Sequence, residues 1–352
     1  MKHYQRLKTR KFIRISILFV VFMFSLFLIG CTNEKSNEGK GTEYEKTEEI
    51  LGTVVTGKVY GKNSKKALEE AFLRAKDIEK VMSAKLSDSE LTKVNENAYK
   101  KEVKISKDLY FVIEKALYYS ELTEGAFDLS IGKLIDLWGI GTDNEKIPQE
   151  EEINLLKGKK NYKNIVLNKE ESTIRFLNED IKLDLGAIAK GYAADEMKKI
   201  ICDKYKIEKG ILNLGGNVMT IGSKNENEKW KVGITNPLNT EEVLAVVKVQ
   251  EKTVVTSGNY ERYFIKDNVR YHHILNPDTG YPAEEGVIST TIITKNSIDA
   301  DALSTATYIL GKDKGLKLIE SIDGIEGIFV DNEGNITKTS GINESNFEVI
   351  NN

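Results

Sequence analysis

Three short stretches hold side chains whose types and spacing suit chemistry. The first is Leu183-Asp184-Leu185-Gly186-Ala187-Ile188-Ala189-Lys190-Gly191-Tyr192-Ala193-Ala194-Asp195. Leu183 and Leu185 flank Asp184 as in a strand, and Gly186 turns the chain. Ala189, Ala193, Met197 and Ile200/Ile201 then fall at helical spacing. A strand–turn–helix junction leaves N–H groups free at the helix start, which favour anions, and carbonyls free near the turn. Asp184 and Lys190 add one charge of each sign. Taken alone, the same pattern also suits an ordinary corner with Asp184 as a near-cap and Lys190 solvated.

The second stretch is Asp299-Ala300-Asp301-Ala302-Leu303-Ser304-Thr305, which starts a helix. Asp301 and Thr305 are four apart and project from one face. A carboxylate, a hydroxyl and a backbone carbonyl are hard oxygen ligands suited to Mg2+; the plainer reading is capping by Asp299. The third is Tyr271-His272-His273-Ile274-Leu275, which reads as a strand with its imidazoles on opposite faces. Asn276-Pro277-Asp278-Thr279-Gly280 follows, a rigid turn of the kind that would fix a general base. Gly215-Gly216-Asn217 is a weaker signal for an anion-binding nest. No CxxC, HExxH or Walker A pattern is present.

The elements that must position these stretches alternate in type. Leu51–Tyr60 reads as a strand. Lys65–Ala84 is an amphipathic helix with Leu68, Ala71/Phe72, Ala75, Ile78 and Val81/Met82 facing inward. Ser87-Asp88-Ser89-Glu90 is a capping box, and a longer helix runs from Ser106 to a stop at Gly125. Residues 165–176 and 263–275 form hairpins, and further strands cover 230–234, 244–249, 253–256 and 287–294. Ile298–Leu310 is a helix ending at Gly311, followed by another helix and a terminal hairpin near Glu333-Gly334-Asn335. Mixed strands and helices with several hairpins give an α+β class. No repeat or internal linker is visible, so residues 49–350 form one domain.

The N-terminal segment has a different character. Lys2, Arg6, Lys8, Arg10, Lys11 and Arg14 precede an apolar run from Ile15 to Ile29, the pattern of a secretory signal. Leu28-Ile29-Gly30-Cys31 resembles a bacterial lipobox, in which Cys31 is lipidated and becomes the mature N-terminus. Residues 1–30 are thus expected to be a signal peptide and 31–48 a polar tether, placing the domain on the extracytoplasmic face of the membrane. The whole chain carries a net charge of −3, of which residues 1–30 contribute six positive and no negative side chains; the remainder carries −9. That balance argues against a nucleic-acid partner. Only Cys31 and Cys202 are present, so no disulfide is expected once Cys31 is lipidated.

In combination the motifs are far more specific. Leu183–Ala193, Thr256-Ser257-Gly258-Asn259-Tyr260, His273–Gly280 and Asp299–Ala306 resemble the FAD:protein FMN transferases, the ApbE family. Met82-Ser83, Asp88-Ser89-Glu90-Leu91 and Gly125-Ala126-Phe127-Asp128 match as well, in order, from Leu51 to the last hairpin. The resemblance implies an enzyme that binds FAD with Mg2+, splits its pyrophosphate, and esterifies FMN to a threonine of another, extracytoplasmic protein, releasing AMP. It maps flavin contacts onto Leu51, Lys85, Ala126, Phe127, Asp128, Asp184 and Lys190, metal ligands onto the Ala187 carbonyl, Asp301 and Thr305, and the acceptor-activating histidine onto His273. Lys85 departs from the family, which often has an aromatic there. Two other readings compete: a lipoprotein that holds or delivers flavin without chemistry, and a hydrolase, acting either as an FAD pyrophosphatase or through Ser257, which lies outside any G-x-S-x-G elbow.

Overall fold

The computed structural model describes residues 42–350; the signal segment, Cys31 and the tether up to residue 41 lie outside them. Strand β1 (Glu43–Ile50) begins at once and pairs antiparallel with β2 (Thr53–Tyr60). The expected tether therefore ends at residue 42, and the expected strand over Leu51–Tyr60 is the second arm of a hairpin. Leu51 and Gly52 form its turn with φ of 56° and 66°, the left-handed pair that matches strand twist. Composition hid β1 because it is a charged edge strand, with only Ile50 buried. Lys58 pairs with Glu43 and Glu45 across the hairpin, a common way of blunting a sheet edge.

Helix α1 (Ser64–Met82) buries Ala67, Leu68, Ala71, Phe72, Ala75, Ile78 and Met82, the stripe its spacing predicts. α2 (Glu90–Asn97) starts two residues later than the capping-box reading: Ser89 Oγ accepts from Thr92 N at 2.9 Å and donates to the Ser83 carbonyl at 2.6 Å. β3 (Val103–Lys104) leads to α3 (Lys107–Leu122), capped by Ser106. α4 (Gly132–Trp138) and α5 (Glu150–Asn154) precede the hairpin β4 (Ile165–Asn168) and β5 (Thr173–Phe176), which β3 extends to three strands. α6 (Ala189–Lys199) runs into one π turn and then β6 (Lys209–Leu214) and β7 (Asn217–Ile221).

The remaining strands are β8 (Trp230–Thr235), β9 (Val243–Val249), β10 (Thr253–Gly258), β11 (Tyr263–Lys266), β12 (Val269–His272) and β13 (Val287–Thr294). α7 (Ser297–Glu320) breaks at Gly311, where φ is 75°, as the sequence places it. β14 (Glu326–Asp331), β15 (Ile336–Lys338) and β16 (Phe347–Val349) complete the α+β fold. Eight antiparallel strands form the main sheet in the order β1-β2-β6-β7-β10-β13-β14-β15. One face carries α1, α6 and α7 over a core that includes Val55, Leu212, Met219, Val255 and Ile292. The other packs Val254, Ile293 and Ile328 against Trp230, Val232 and Val247 of a small β16-β9-β8 sheet. Neighbours such as Val254 and Val255 thus serve opposite cores, as strand alternation requires.

The closest helix contact fixes the geometry of everything below. A Cβ on Gly191 of α6 would stand 2.3 Å from the Ser297 carbonyl oxygen at the start of α7. One turn on, the Asp195 carboxylate accepts from Ser297 N at 2.7 Å and Ile298 N at 2.9 Å. α7 is therefore capped by a side chain of α6, whereas its own Asn296 makes no side-chain cap. Asp299, the expected cap, instead accepts from Lys115 Nζ at 3.0 Å and Tyr119 OH at 2.7 Å on α3. Gly191→Ala is accordingly expected to lower unfolding stability by about 1–3 kcal/mol through overpacking. Helix propensity alone gives the opposite sign, a gain of up to about 1 kcal/mol. Denaturant melts of the variant decide between them, and a gain would contradict this contact.

Candidate active site

The Asp184–Lys190 junction is built differently from an ordinary strand end. Leu183-Asp184-Leu185 runs extended but in no ladder; only Lys182 bridges Ile131. The Asn95 side chain of α2 takes the place of a neighbouring strand. Its Oδ1 accepts from Leu183 N at 2.7 Å, and its Nδ2 donates to the Leu183 carbonyl at 3.0 Å. Asp184 N donates to the Leu129 carbonyl at 2.9 Å, and Asp184 Oδ1 accepts from Gly186 N at 2.8 Å. Burial holds the Asp184 carboxyl above the usual carboxylate range, against the pull of Lys85 and Lys182. Lys85 itself is exposed in the loop after α1.

The start of α6 is largely filled, which corrects the open anion site expected there. Ala189 N bonds the Leu185 carbonyl, Tyr192 N the Ile188 carbonyl, and Gly191 N donates to Asp301 Oδ2 at 2.8 Å. That last bond diverts the N–H that a regular helix would send to Ala187, so no backbone N–H of the described residues reaches the Ala187 carbonyl. Lys190 Nζ stands 3.3 Å from Asp301 Oδ1 and 3.4 Å from the Gly186 carbonyl. Asp301 is 3% exposed. Thr305, one turn along the same face of α7, lies 3.4 Å from Ser257 Oγ, which is 2.8 Å from Ser304 Oγ. Ser257 thus meets hydroxyls and no imidazole, which removes the structural basis for a Ser–His hydrolase.

Among the described residues no three His, Cys, Asp or Glu side chains gather to hold a metal ion. A metal here needs a mixed set, and the Ala187 carbonyl, Asp301 carboxylate and Thr305 hydroxyl fit a hard cation by donor type. The Lys190 ammonium against Asp301 Oδ1 already shows that this carboxylate takes a positive charge.

β12 ends at His272, so His273 lies just beyond the strand. The two rings still diverge as expected. His272 is 4% exposed, with Nε2 3.1 Å from the Ala283 carbonyl and its ring edge-on to Tyr308. His273 N donates to the Arg262 carbonyl at 3.1 Å, and Nδ1 is 3.2 Å from the same oxygen. Nδ1 therefore carries the proton and Nε2 is the basic atom. Burial, then the cations Arg262 and Lys190, pushes His273 down to about 3, so its imidazole is neutral. The Asn276–Gly280 turn is as rigid as its sequence implies. Asn276 Oδ1 accepts from Asp278 N at 2.9 Å, Gly280 adopts φ 76°, and Trp138 Nε1 donates to the Gly280 carbonyl at 2.8 Å.

Arg262, which no sequence motif singles out, ties the site together. Its Nη2 lies 3.4 Å from the Gly52 carbonyl, bringing the Leu51 turn toward His273, while Leu51 N donates to Glu79 Oε1 at 2.8 Å. Ala126 is half-buried beside the core. Phe127 differs from a stacking residue: its ring is 3% exposed and sits edge-on to Tyr119, and its N–H donates to Thr123 Oγ1. Asp128 Oδ1 accepts from Ser130 N at 2.8 Å and Ser130 Oγ at 2.5 Å. A surface depression of about 730 Å3 lined by Glu208, Lys209 and Glu228 lies at the other end of β6 and β7 from these residues.

Burial pushes the Asp128 carboxyl from 3.8 up to about 6, with Asp278 adding to the effect. The fold thus favours the protonated acid. Its stabilising effect is present below the unfolded value, is lost as pH rises from about 4 to about 6, and stays lost above. Asp128→Asn removes the titration. Between pH 4 and pH 7 the stability difference should move in favour of the variant by about 2–3 kcal/mol. Urea melts of both proteins at the two pH values measure it; a difference independent of pH would show the carboxyl to be unperturbed.

Comparison with known proteins identifies the family and the fold. The family model described as "ApbE family" matches residues 51–329. A protein of Treponema pallidum named FAD:protein FMN transferase is 34% identical over 318 residues, covering 85% of this chain and 88% of its own. A Klebsiella pneumoniae protein of the same name is 30% identical, covering 84% and 92%. Among solved structures, the ApbE protein of Thermotoga maritima superposes with a TM-score of 0.79 at 34% identity, covering 85% of this chain and 98% of that one. The flavin transferase ApbE of Vibrio cholerae gives 0.75 at 25% identity, covering 85% and 98%. With family motifs, fold and chain length all in agreement, the chain belongs to the ApbE family.

Proposed function

We propose that this protein is an FAD:protein FMN transferase, moving FMN from FAD to a threonine hydroxyl of an extracytoplasmic acceptor and releasing AMP. The observation that carries this reading is the junction of α6 and α7. There Lys190 meets Asp301, Thr305 lies one turn along the same face of α7, the Ala187 carbonyl has no helix partner, and the Lys190 charge reaches the neutral His273. Transfer of a phosphoryl-type group needs charge neutralisation and alignment more than a protein nucleophile. Lys190 supplies a cation for the pyrophosphate. The Ala187 carbonyl, Asp301 and Thr305 would hold Mg2+, which when bound supplies charge for the pyrophosphate oxygens. The Leu51 turn, Lys85, Ala126, Phe127, Asp128 and Asp184 are assigned to flavin binding, with Phe127 acting through its backbone carbonyl because its ring is in the core and its N–H is taken by Thr123.

His273 Nε2 takes the threonine proton as the hydroxyl oxygen attacks the FMN phosphorus, and the bond to the AMP oxygen breaks. Burial and two nearby cations leave the imidazole unprotonated, and a bound pyrophosphate that offsets those cations would raise its basicity toward the range a general base needs. The Arg262 carbonyl holds Nδ1–H and so aims Nε2 outward. The chain is proposed to work on the extracytoplasmic side, anchored by lipid on Cys31.

His273→Ala is expected to slow FMN transfer roughly 10²–10⁴-fold, the usual size of a general-base effect, while FAD binding stays near that of the parent. His272→Ala should act through stability, since its ring packs in the core. Mass measurement of covalent FMN on a threonine peptide, with AMP release and FAD affinity in parallel, decides the matter. Equal loss of binding and transfer in His273→Ala would sink the general-base role. Bound FAD without any modified acceptor in the parent would instead favour a flavin-holding protein. Separately, Cys31→Ser should leave the precursor uncut or free it from the membrane; unchanged mature mass and membrane retention would refute the lipid anchor.

A further inference from the structure

Asn217, the first residue of β7, is 1% exposed, yet its side-chain nitrogen has no hydrogen-bond partner. Leaving a buried amide donor unsatisfied is costly, so native folds rarely do so without a use for it. Strand alternation gives its direction. Met219, two residues on, lies in the core beneath the helices, whereas Val218 packs against the small-sheet core. Asn217 therefore faces α6 and α7.

Register places it further. Asn217 sits opposite Val255 of β10. The next residue on that face of β10 is Ser257, which meets Ser304 and Thr305 of α7. Gly216, its neighbour in the β6–β7 turn, would carry a Cβ 3.9 Å from Glu261, a carboxyl that feels the Lys190 charge. The amide thus lies on the helix-facing side of the sheet, at the strand end where Ser257 of β10 meets Ser304 and Thr305. The expected backbone nest in this turn is already spent: Gly215 N donates to the Val54 carbonyl at 3.2 Å and Gly216 N to Asn213 Oδ1 at 2.9 Å. The donor left over is the Asn217 side chain.

We propose that Asn217 is a substrate-positioning residue whose amide nitrogen donates a hydrogen bond to an anionic oxygen of the FAD pyrophosphate. The proposal rests on the transferase reading. Lys190 supplies charge that acts over distance, and Asn217 supplies a short, directional bond that fixes which oxygen faces the attacking hydroxyl. A donor kept for the ligand leaves the empty protein less stable than an apolar side chain of similar shape would.

Asn217→Leu and Asn217→Ala in the soluble domain test this with FAD itself as the probe. A hydrogen bond to a charged oxygen predicts a 10- to 100-fold weaker FAD affinity for both variants. The ligand-free melting temperature of Asn217→Leu should not fall below that of the parent. A structural role predicts the opposite pairing, a lower melting temperature with affinity intact. Unchanged FAD affinity in both variants overturns the assignment, and so does a melting temperature that drops in step with affinity. A parent domain that binds no FAD overturns the transferase reading instead, and the assignment with it.

Discussion

The Gly191 N–H bond to Asp301 is the constraint on which the site depends. It forms only because α6 and α7 approach until the Gly191 Cα faces the Ser297 carbonyl, where a Cβ would stand 2.3 Å from oxygen. The approach turns a helix N–H away from its own carbonyl and into a carboxylate of another helix. Two results follow from one bond. Asp301, 3% exposed, gains the donor that a buried carboxylate requires. The Ala187 carbonyl loses its helix partner and is left without a backbone N–H. The donor types proposed to hold a hard cation thus owe their availability to close helix packing.

Polar networks hold both helices in that position. Arg74 of α1 makes a fork with Asp108 of α3 at 2.6 and 2.8 Å and reaches Glu196 of α6 at 2.7 Å. Tyr192 OH closes the network on Asp108 at 2.7 Å. The guanidinium holds the Asp108 carboxyl below its ordinary range. Asp299 ties α7 to α3 through Lys115 and Tyr119. These are partly buried, multiply bonded groups, the setting in which ion pairs specify geometry more than they add stability. The Asp195 cap then sets the register of α7 against α6, so that Asp301 meets Gly191.

The charge pattern is consistent with a phosphate-bearing substrate. Without residues 1–30 the chain is acidic, yet the charges of Lys190 and Arg262 both reach His273. Burial keeps His273 neutral, and their field adds to it. The same field would draw in a pyrophosphate, whose charge would in turn ease the penalty on a protonated imidazole. Cations that suppress protonation in the empty site are thus offset once the anion they attract is bound.

Local chemistry in the sequence sets the helices, the break at Gly311, the rigid Asn276–Gly280 turn, the common face of Asp301 and Thr305, and the divergence of His272 and His273. Each follows from periodicity or from a backbone preference acting over a few residues. β1 was illegible because an edge strand buries one side chain and reads by composition as a linker. Leu183–Leu185 reads as a strand because its apolar alternation is real, but its ladder partner is the Asn95 amide, 88 residues away. The cap of α7 comes from α6, and Arg262 matters through a carbonyl and a turn that no local pattern connects to it. The residue types of the site were therefore fixed by the chain, while the free carbonyl, the filled helix start and the unpaired Asn217 amide were decided by packing. Hydrogen-bond partners distant in sequence are selected by the approach of whole elements, and that approach is set by the core rather than by neighbours along the chain.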